Sequence, residues 1–358
     1  MNRRIKNPVI RKFIFSCTVT LAVLLVVMTI GGGVYAGIQS LAKPPVMPSY
    51  VEIRPQTQLA RPENSSPEGT GMVLPQEDEE DDDVTIMLRK PNFYTFLVFG
   101  IDNSNNADVI IVAALDTVKK EAYMISIPRD TRIETTRRLR KPVSAYSAGR
   151  ANGGGVEGGV AEMTSDIKSL FGFEPDFHIR IDYRAVERAI DTLGGVLVNV
   201  PFHMRYDDPT DNLHINIAAG QQRLNGRQAI QFARYRMGNE GYPTITDYQR
   251  VANQQQVIRA MFNELMTPAT IARIPELITI YREHVHTNMD YSEMLWFGGQ
   301  LAQLRGMTLS TQTIPTTGTS GSPGWYELPD RDGILELINK TINPFVDEIT
   351  AEMVNIAE

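Results

Sequence analysis

The stretch FYTFLVFGIDNSNNADVIIVAALD, residues 93–116, decides how the chain folds. Phe93–Phe99 and Val109–Leu115 are short apolar runs with turn residues between them. Runs of this length, rich in aromatic and β-branched side chains, read as buried strands. Ala122–Ile127 (AYMISI) is a third, reached through a hairpin turn at Asp116–Lys120 (DTVKK). Downstream the pattern alternates. Ala161–Phe171 is helical, His178–Asp182 extended, Tyr183–Leu193 helical and Val196–Val200 extended. Leu224–Phe232 is helical with Asn225 as cap, and a long helix starts near Asp247, the candidate N-cap, with Thr246 before it. Pro275–Tyr281, Ser292–Leu304 and Arg331–Ile342 complete the helices, and Gly324–Pro329 is extended. Alternation of this kind predicts a layered α/β/α domain with a central mixed sheet flanked by helices.

Outward from that domain, the N-terminus is the next informative segment. Arg3, Arg4, Lys6, Arg11 and Lys12 precede an uncharged stretch over residues 13–42. About 20 apolar residues suffice to span a bilayer, and flanking basic residues stay cytoplasmic. The expectation is a cytoplasmic tail at 1–12, a single-pass plasma-membrane anchor at 13–42, and everything else on the extracytoplasmic face. A cleaved signal peptide ending at Val34-Tyr35-Ala36 is the rival, but the apolar part Phe13–Ile30 is long for one. Residues 43–90, rich in Pro, Glu, Ser and Asp, are expected to be a disordered acidic tether. The folded domain is then 91–345, with a C-terminal tail at 346–358. Net charge is −7, and the run Glu77–Asp83 (EDEEDDD) carries seven negative charges by itself. The remainder is neutral, which disfavours nucleic acid as a partner. Cys17, the single cysteine, lies in the predicted anchor, so the exported part has no thiol for a disulfide or a nucleophile.

The polar residues gather around QAIQFARYRMGNEGYPTITDYQRVANQQQ, residues 228–256. Asp247, Arg250, Gln254, Ile258, Met261 and Leu265 fall on one helical stripe. Its lower part is apolar and faces the core. Its upper part continues the same face with Asp, Arg and Gln, which points to a polar pocket above the core. Arg234 and Arg236 are two apart and share a side if that segment is extended. Three guanidiniums beside one carboxylate suit a doubly charged anion such as phosphate or pyrophosphate, and equally suit a structural ion-pair network. Asp102 and Asp108 stand at the ends of the first two strands. Two carboxylates there suit Mg²⁺ or Mn²⁺ completed by phosphate oxygens, while plain turn chemistry explains them as well. Arg129 leaves the third strand in Ser126–Thr131 (SIPRDT), followed by the basic residues Arg132, Arg137, Arg138, Arg140 and Lys141, a solvated loop on the plainest reading. The glycines at 153–155 and 158–159 are expected to form a flexible connection. His284 and His286 have no further ligand nearby to complete a zinc site.

Several motifs then coincide in order: FLVFGID, ADVIIVAALD, ISIPRDTRIE, KPVSAYSAG, IDYRAVERAIDTLGGVLVNVP, INIAAGQQRLNGRQAIQFARYR, DYQRVANQQQVI and GWYELPD. Together they resemble the LytR–CpsA–Psr family of cell-envelope proteins, from about Phe93 to Lys340. The resemblance implies a phosphotransferase. Such an enzyme moves a glycopolymer from a polyprenyl-pyrophosphate lipid to a hydroxyl of peptidoglycan, forming a phosphodiester with Mg²⁺ or Mn²⁺. By motif position, Asp102 and Asp108 match the metal-binding aspartates. Arg129, Arg234, Arg236, Asp247 and Arg250 match the catalytic set, and Gln254 joins the arginines in holding the donor. Asp247 is expected to orient the arginines or to assist the accepting hydroxyl. Three positions and one loop length depart from the family pattern. The loop between the aspartates is short, Asn106 and Asn253 stand where arginines are usual, and Val143 stands where asparagine is usual. Arg132 or Arg137 is the expected substitute cation. Apolar helices after Gln254 and around Ile190 suggest a groove for the polyprenyl chain, although an ordinary core has the same pattern. Two rival readings share the site: a hydrolase of the same lipid, and a non-catalytic lipid- or glycan-binding envelope protein.

Overall fold

The computed structural model describes residues 42–54 and 84–356, apart from 103, 210–212, 266, 268–269, 271–272, 304–307 and 321–324. The predicted anchor up to residue 41 lies outside them, as does the acidic run at 77–83. Among the described residues no helix is long and apolar enough to cross a membrane.

The strands are β1 (Tyr50–Ile53), β2 (Thr85–Leu88), β3 (Phe93–Ile101), β4 (Ala107–Asp116), β5 (Glu121–Ser126), β6 (Phe177–Asp182), β7 (Val196–Val200), β8 (Met204–Asp208), β9 (Leu213–Ile217), β10 (Gly220–Leu224), β11 (Val285–Thr287), β12 (Thr308–Thr313), β13 (Thr316–Ser320) and β14 (Tyr326–Pro329). The helices are α1 (Ala145–Gly149), α2 (Gly155–Phe171), α3 (Tyr183–Leu193), α4 (Gly226–Arg234), α5 (Asp247–Leu265), α6 (Ile274–His284), α7 (Tyr291–Gln303) and α8 (Arg331–Thr341).

Six strands form one mixed sheet in the order β11-β6-β3-β4-β5-β12. The predicted meander β3-β4-β5 is antiparallel, while β6 joins β3 and β12 joins β5 in parallel. Alternation along the strands gives the sheet two different faces. Leu97, Phe99 and Ile101 of β3 and Ile110, Val112 and Ala114 of β4 enter a core completed by Met163 and Ile167 of α2 and Ile334 and Ile338 of α8. The opposite face, with Val98, Gly100, Val109 and Ile111, lines a cavity with residues of α4 and α5. A second apolar cluster joins Ile190 of α3, Val196 and Val198 of β7, Phe232 of α4 and Val257 of α5. It fixes the helices that flank the cavity.

Three expectations need correction. The first concerns the two ends of the segment at 43–90. They pair as the antiparallel strands β1 and β2, and Ile53 and Met87 are buried in the main core. The low apolar content of the middle hides these short strands at either end. The second concerns the tail at 346–358. Ile349, Met353, Val354 and Ile356 are core residues, and Asn339 ties the segment down by accepting from Ile349 N at 2.9 Å and donating to Ile349 O at 2.9 Å. No periodic pattern marks a core segment this irregular. The third concerns the glycines. Gly158 and Gly159 lie inside α2, and a Cβ on Gly149 would meet Gly158 O at 2.1 Å. They are absent side chains that let α1 and α2 touch, with Tyr146 packed on Gly159.

The chain divides into two compact units by its internal contacts. The smaller is built from Met289–Gln303 and the described residues up to Val46, where Lys43 N donates to Ser292 O at 3.3 Å. Everything below concerns the larger unit, Met47–Asn288 with Leu304–Glu358.

Candidate functional site

The site begins with a fault in the sheet. Gly100 pairs with Val109, but Ile101 pairs with Ala107, so Asp108 is the extra residue of a β-bulge. Regular alternation would send Asp108 and Val109 to opposite faces. The bulge instead brings both to the cavity, while Ala107 and Ile110 stay in the core behind. Asp108 is then gripped from two sides. Arg129 Nη1 donates to Oδ1 at 2.6 Å, and Tyr183 Oη donates to Oδ2 at 2.9 Å. Asp102, at the end of β3, is held by its own loop. Its Oδ1 accepts from Ser104 N and Asn106 N, each at 2.8 Å, and its Oδ2 accepts from Asn106 Nδ2 at 3.2 Å. Asn106, standing where an arginine is usual, thus fixes the aspartate.

Helix α5 supplies the facing wall. Thr246, not Asp247, is its cap: Gln249 N donates to Thr246 Oγ1 at 3.2 Å, and Gln249 Oε1 accepts from Thr246 N at 2.8 Å. Asp247 is therefore the first helical residue, and its carboxylate is left to meet Arg250 Nη2 at 2.7 Å. Both are buried, at 7% and 5% exposure. The contact is an ion pair without hydrogen-bond alignment, and both Asp247 oxygens and Arg250 Nε lack a hydrogen-bond partner. A buried pair left this short of partners is costly unless a further polar group completes it. Arg250, Gln254, Ile258, Met261 and Leu265 of the predicted stripe all line the cavity. Arg234 closes α4 with its guanidinium 5.3 Å above the Tyr183 ring. Tyr235 ends the helix in a non-helical conformation, so Arg236 follows outside it, and both arginines line the cavity.

Electrostatics show the same convergence. Burial depresses the Arg250 guanidinium, Asp247 opposes that, and Arg129 and Arg236 add to it as neighbouring cations. Arg129 is held above its ordinary value because Asp108, Asp130 and Asp247 outweigh the burial that pulls it down. Burial, then Asp108, drives the Tyr183 hydroxyl well above its usual range, so it stays a proton donor to that aspartate. The structure therefore gathers Arg129, Arg234, Arg236, Arg250, Asp102, Asp108 and Asp247 in one neighbourhood.

The cavity, of about 490 Å³, has two ends in chemical terms. Four arginines, Asp108, Tyr183 and Gln254 make one part polar. Val98, Ile111, Val186, Ile230, Val257, Met261, Phe262 and Leu309 make most of the rest apolar, with Asp182 a further carboxylate on the wall. Among the described residues no group of three or more His, Cys, Asp or Glu could hold a metal alone. Two carboxylates that each keep unused acceptor capacity fit Mg²⁺ held jointly with phosphate oxygens, which is how that ion is usually bound.

Some expectations fall elsewhere. Arg132 directs its Nε to Glu134 at 3.0 Å and does not line the cavity. Arg137 is half-buried and pairs with Glu162 and Asp166, the latter at 2.6 Å, so it belongs to the α2 scaffold. The loop from Arg129 to Lys141 is thus partly structural and not simply solvated. Asn253 is buried and is not among the cavity residues. Neither Arg132 nor Arg137 replaces the cations missing at Asn106 and Asn253. Tyr183 and Glu327 join the site without a local signal of their own: the motifs IDYRAVE and GWYELPD contain them, but only the fold brings them to Asp108 and Asp247.

Arginines clustered on the wall of a largely apolar cavity, on a mixed sheet flanked by helices, are the features that the relatives bear on. The LytR_cpsA_psr family model matches residues 66–342, and the chain belongs to that family. It is 27% identical over 278 residues to the polyisoprenyl-teichoic acid–peptidoglycan teichoic acid transferase TagV of Bacillus subtilis (strain 168), covering 74% of this chain and 67% of that protein. It is 26% identical over 267 residues to the regulatory protein MsrR of Staphylococcus aureus (strain COL), covering 71% and 74%. The crystal structure of B. subtilis TagV superposes with a TM-score of 0.58 at 25% identity, covering 73% of this chain and 100% of that one.

Proposed function

We propose that this chain is a membrane-anchored phosphotransferase. It moves a glycopolymer from a polyprenyl-pyrophosphate carrier onto peptidoglycan, on the extracytoplasmic face of the plasma membrane. One observation carries the reading: four arginines gather with Asp108 on the wall of a cavity whose other lining residues, Asp182, Tyr183 and Gln254 apart, are mostly apolar. A diphosphate needs cationic donors, and an isoprenoid tail needs a dry slot. The naming of the relative TagV as a teichoic acid transferase supports the same chemistry.

Each group has a task. Arg234, Arg236 and Arg250 hold the diphosphate and meet the charge that grows on it during transfer. Arg129 orients Asp108. Asp247 keeps Arg250 in place, and Gln254 offers a neutral donor beside it. Asp102 and Asp108 are the residues to hold Mg²⁺ or Mn²⁺, which when bound neutralises phosphate oxygens and orients them. The apolar cavity takes the first isoprene units, and the peptidoglycan hydroxyl approaches from the polar end.

The test supplies purified chain with a polyprenyl-diphosphate glycopolymer, a peptidoglycan oligomer and Mg²⁺. The expected result is polymer covalently joined to the oligomer, with polyprenyl phosphate released. EDTA should lower the rate at least about 10²-fold, the scale of losing a major electrostatic group at a reacting phosphate. Polymer appearing free in solution would make the protein a hydrolase, and a rate indifferent to EDTA would remove the metal from the account.

A further inference from the structure

We propose that Glu327 is the general base that takes the proton from the accepting hydroxyl. The inference rests on the phosphotransfer reading and assigns a role that reading leaves open.

Glu327 lies on β14, and its backbone clamps the segment that carries Arg129. Glu327 N donates to Asp130 O at 2.9 Å, and Glu327 O accepts from Arg132 N at 2.8 Å. Two main-chain bonds on one residue fix where its side chain starts. Glu327 is only 8% exposed. Three other titratable groups face it: Asp130 from the loop after β5, and Asp247 and Tyr248 from α5. Of the three carboxylates, two already have cations. Asp130 meets Lys141 Nζ at 2.7 Å and Arg129 Nε at 3.8 Å, and Asp247 meets Arg250 at 2.7 Å. The carboxylate of Glu327 has no cation within ion-pair distance and no hydrogen bond among the described residues.

That difference separates the roles. Asp247 is locked to Arg250 and would give up that pair on taking a proton. Glu327 gains by taking one. Burial, then Asp247 and Asp130, raises its carboxyl above the ordinary glutamate value, which strengthens it as a base. An independent observation points to a polar ligand group here. Both oxygens of Asp247, buried beside Glu327, lack a hydrogen-bond donor. An incoming sugar hydroxyl cluster supplies such donors.

The step balances. The hydroxyl oxygen attacks the phosphorus bearing the glycopolymer, and a new P–O bond forms. The bridging P–O bond of the diphosphate breaks, and polyprenyl phosphate leaves with its electron pair. The hydroxyl proton passes to the Glu327 carboxylate and from there to water.

The test compares the full chain with E327Q and E327D in the transfer assay, over pH, with donor binding and thermal unfolding measured alongside. E327Q should lower kcat about 10²- to 10⁴-fold, the range of a lost general base, with donor affinity and Tm close to those of the unaltered chain. In the unaltered chain kcat should rise with pH as Glu327 ionises. That acid limb should vanish in E327Q and return in E327D with part of the rate. A kcat for E327Q within about threefold of the unaltered chain overturns the proposal. So does an equal loss in both variants with a lowered Tm, because that is a structural role. If the unaltered chain releases no polyprenyl phosphate at all, the phosphotransfer reading falls and this inference with it.

Discussion

Replacing Arg234 by Ala is expected to cut the transfer rate by roughly 10²- to 10³-fold, the cost of losing one preorganised charged donor at a reacting centre. The reasoning is electrostatic. A phosphoryl group in flight asks little covalent work of the protein and much charge placement. Arg234 stands at the polar end of the cavity, where its guanidinium rests 5.3 Å above the Tyr183 ring. The stack fixes its plane, so few degrees of freedom remain to be lost when the donor binds. R234K should recover only part of the rate, because a lysine has neither the planar fork nor the stack. The fold should survive. Arg234 is the last residue of α4, and the helix is held by Ala229, Phe232 and the adjacent Tyr235, all fully buried. The measurement is kcat from release of polyprenyl phosphate, with a circular dichroism spectrum as control. A variant that turns over within about twofold of the unaltered chain would take Arg234 out of the site.

Deletion of residues 346–358 is expected to unfold the larger unit. The segment looks like a dispensable tail, yet it buries Ile349, Met353, Val354 and Ile356 against the main core. At about 1.5–3 kcal/mol per buried apolar side chain, these four contribute roughly 6–12 kcal/mol as an upper bound. A domain commonly has only about 5–15 kcal/mol in total. The deletion also strips partners from α2 and from the residues just after α8. Asn343 Nδ2 loses Asp347 O at 2.8 Å, and Ser169 O loses Asn355 N at 2.7 Å. The check is thermal unfolding followed by circular dichroism. Loss of the cooperative transition is the expected result, and a Tm within a few degrees of the full chain would show that the segment is not part of the core.

These two predictions mark the border of what the sequence carried. The meander from Phe93 to Ser126 was legible because apolar runs separated by turn residues leave few alternatives. The stripe from Asp247 to Leu265 was legible for a similar reason, since helical periodicity places Arg250, Gln254 and Ile258 on one face whatever packs against it. The tail was not, because Ile349 and Met353 belong to an irregular segment with no period to detect. The bulge at Asp108 was also hidden. It exists only in the pairing of two strands, and nothing local distinguishes Asp108 from an ordinary turn residue. Glu327 illustrates a third kind of silence. Its motif was visible, but its burial beside Asp247 depends on β14 reaching across to the Arg129 segment, a contact between residues about 200 apart. Arg137 misled in the opposite direction. A basic loop reads as solvated unless its partners Glu162 and Asp166, a helix away, are known to be waiting.

The central claim is that this cavity binds a diphosphate head and an isoprenoid tail together. Native mass spectrometry of the detergent-extracted chain, equilibrated with equal amounts of a polyprenyl diphosphate and a common phospholipid, tests it most directly. The account predicts one polyprenyl diphosphate retained per chain, at least about tenfold in preference to the phospholipid, and weakened retention in the Arg234→Ala variant. Equal retention of both lipids, or of neither, would contradict it.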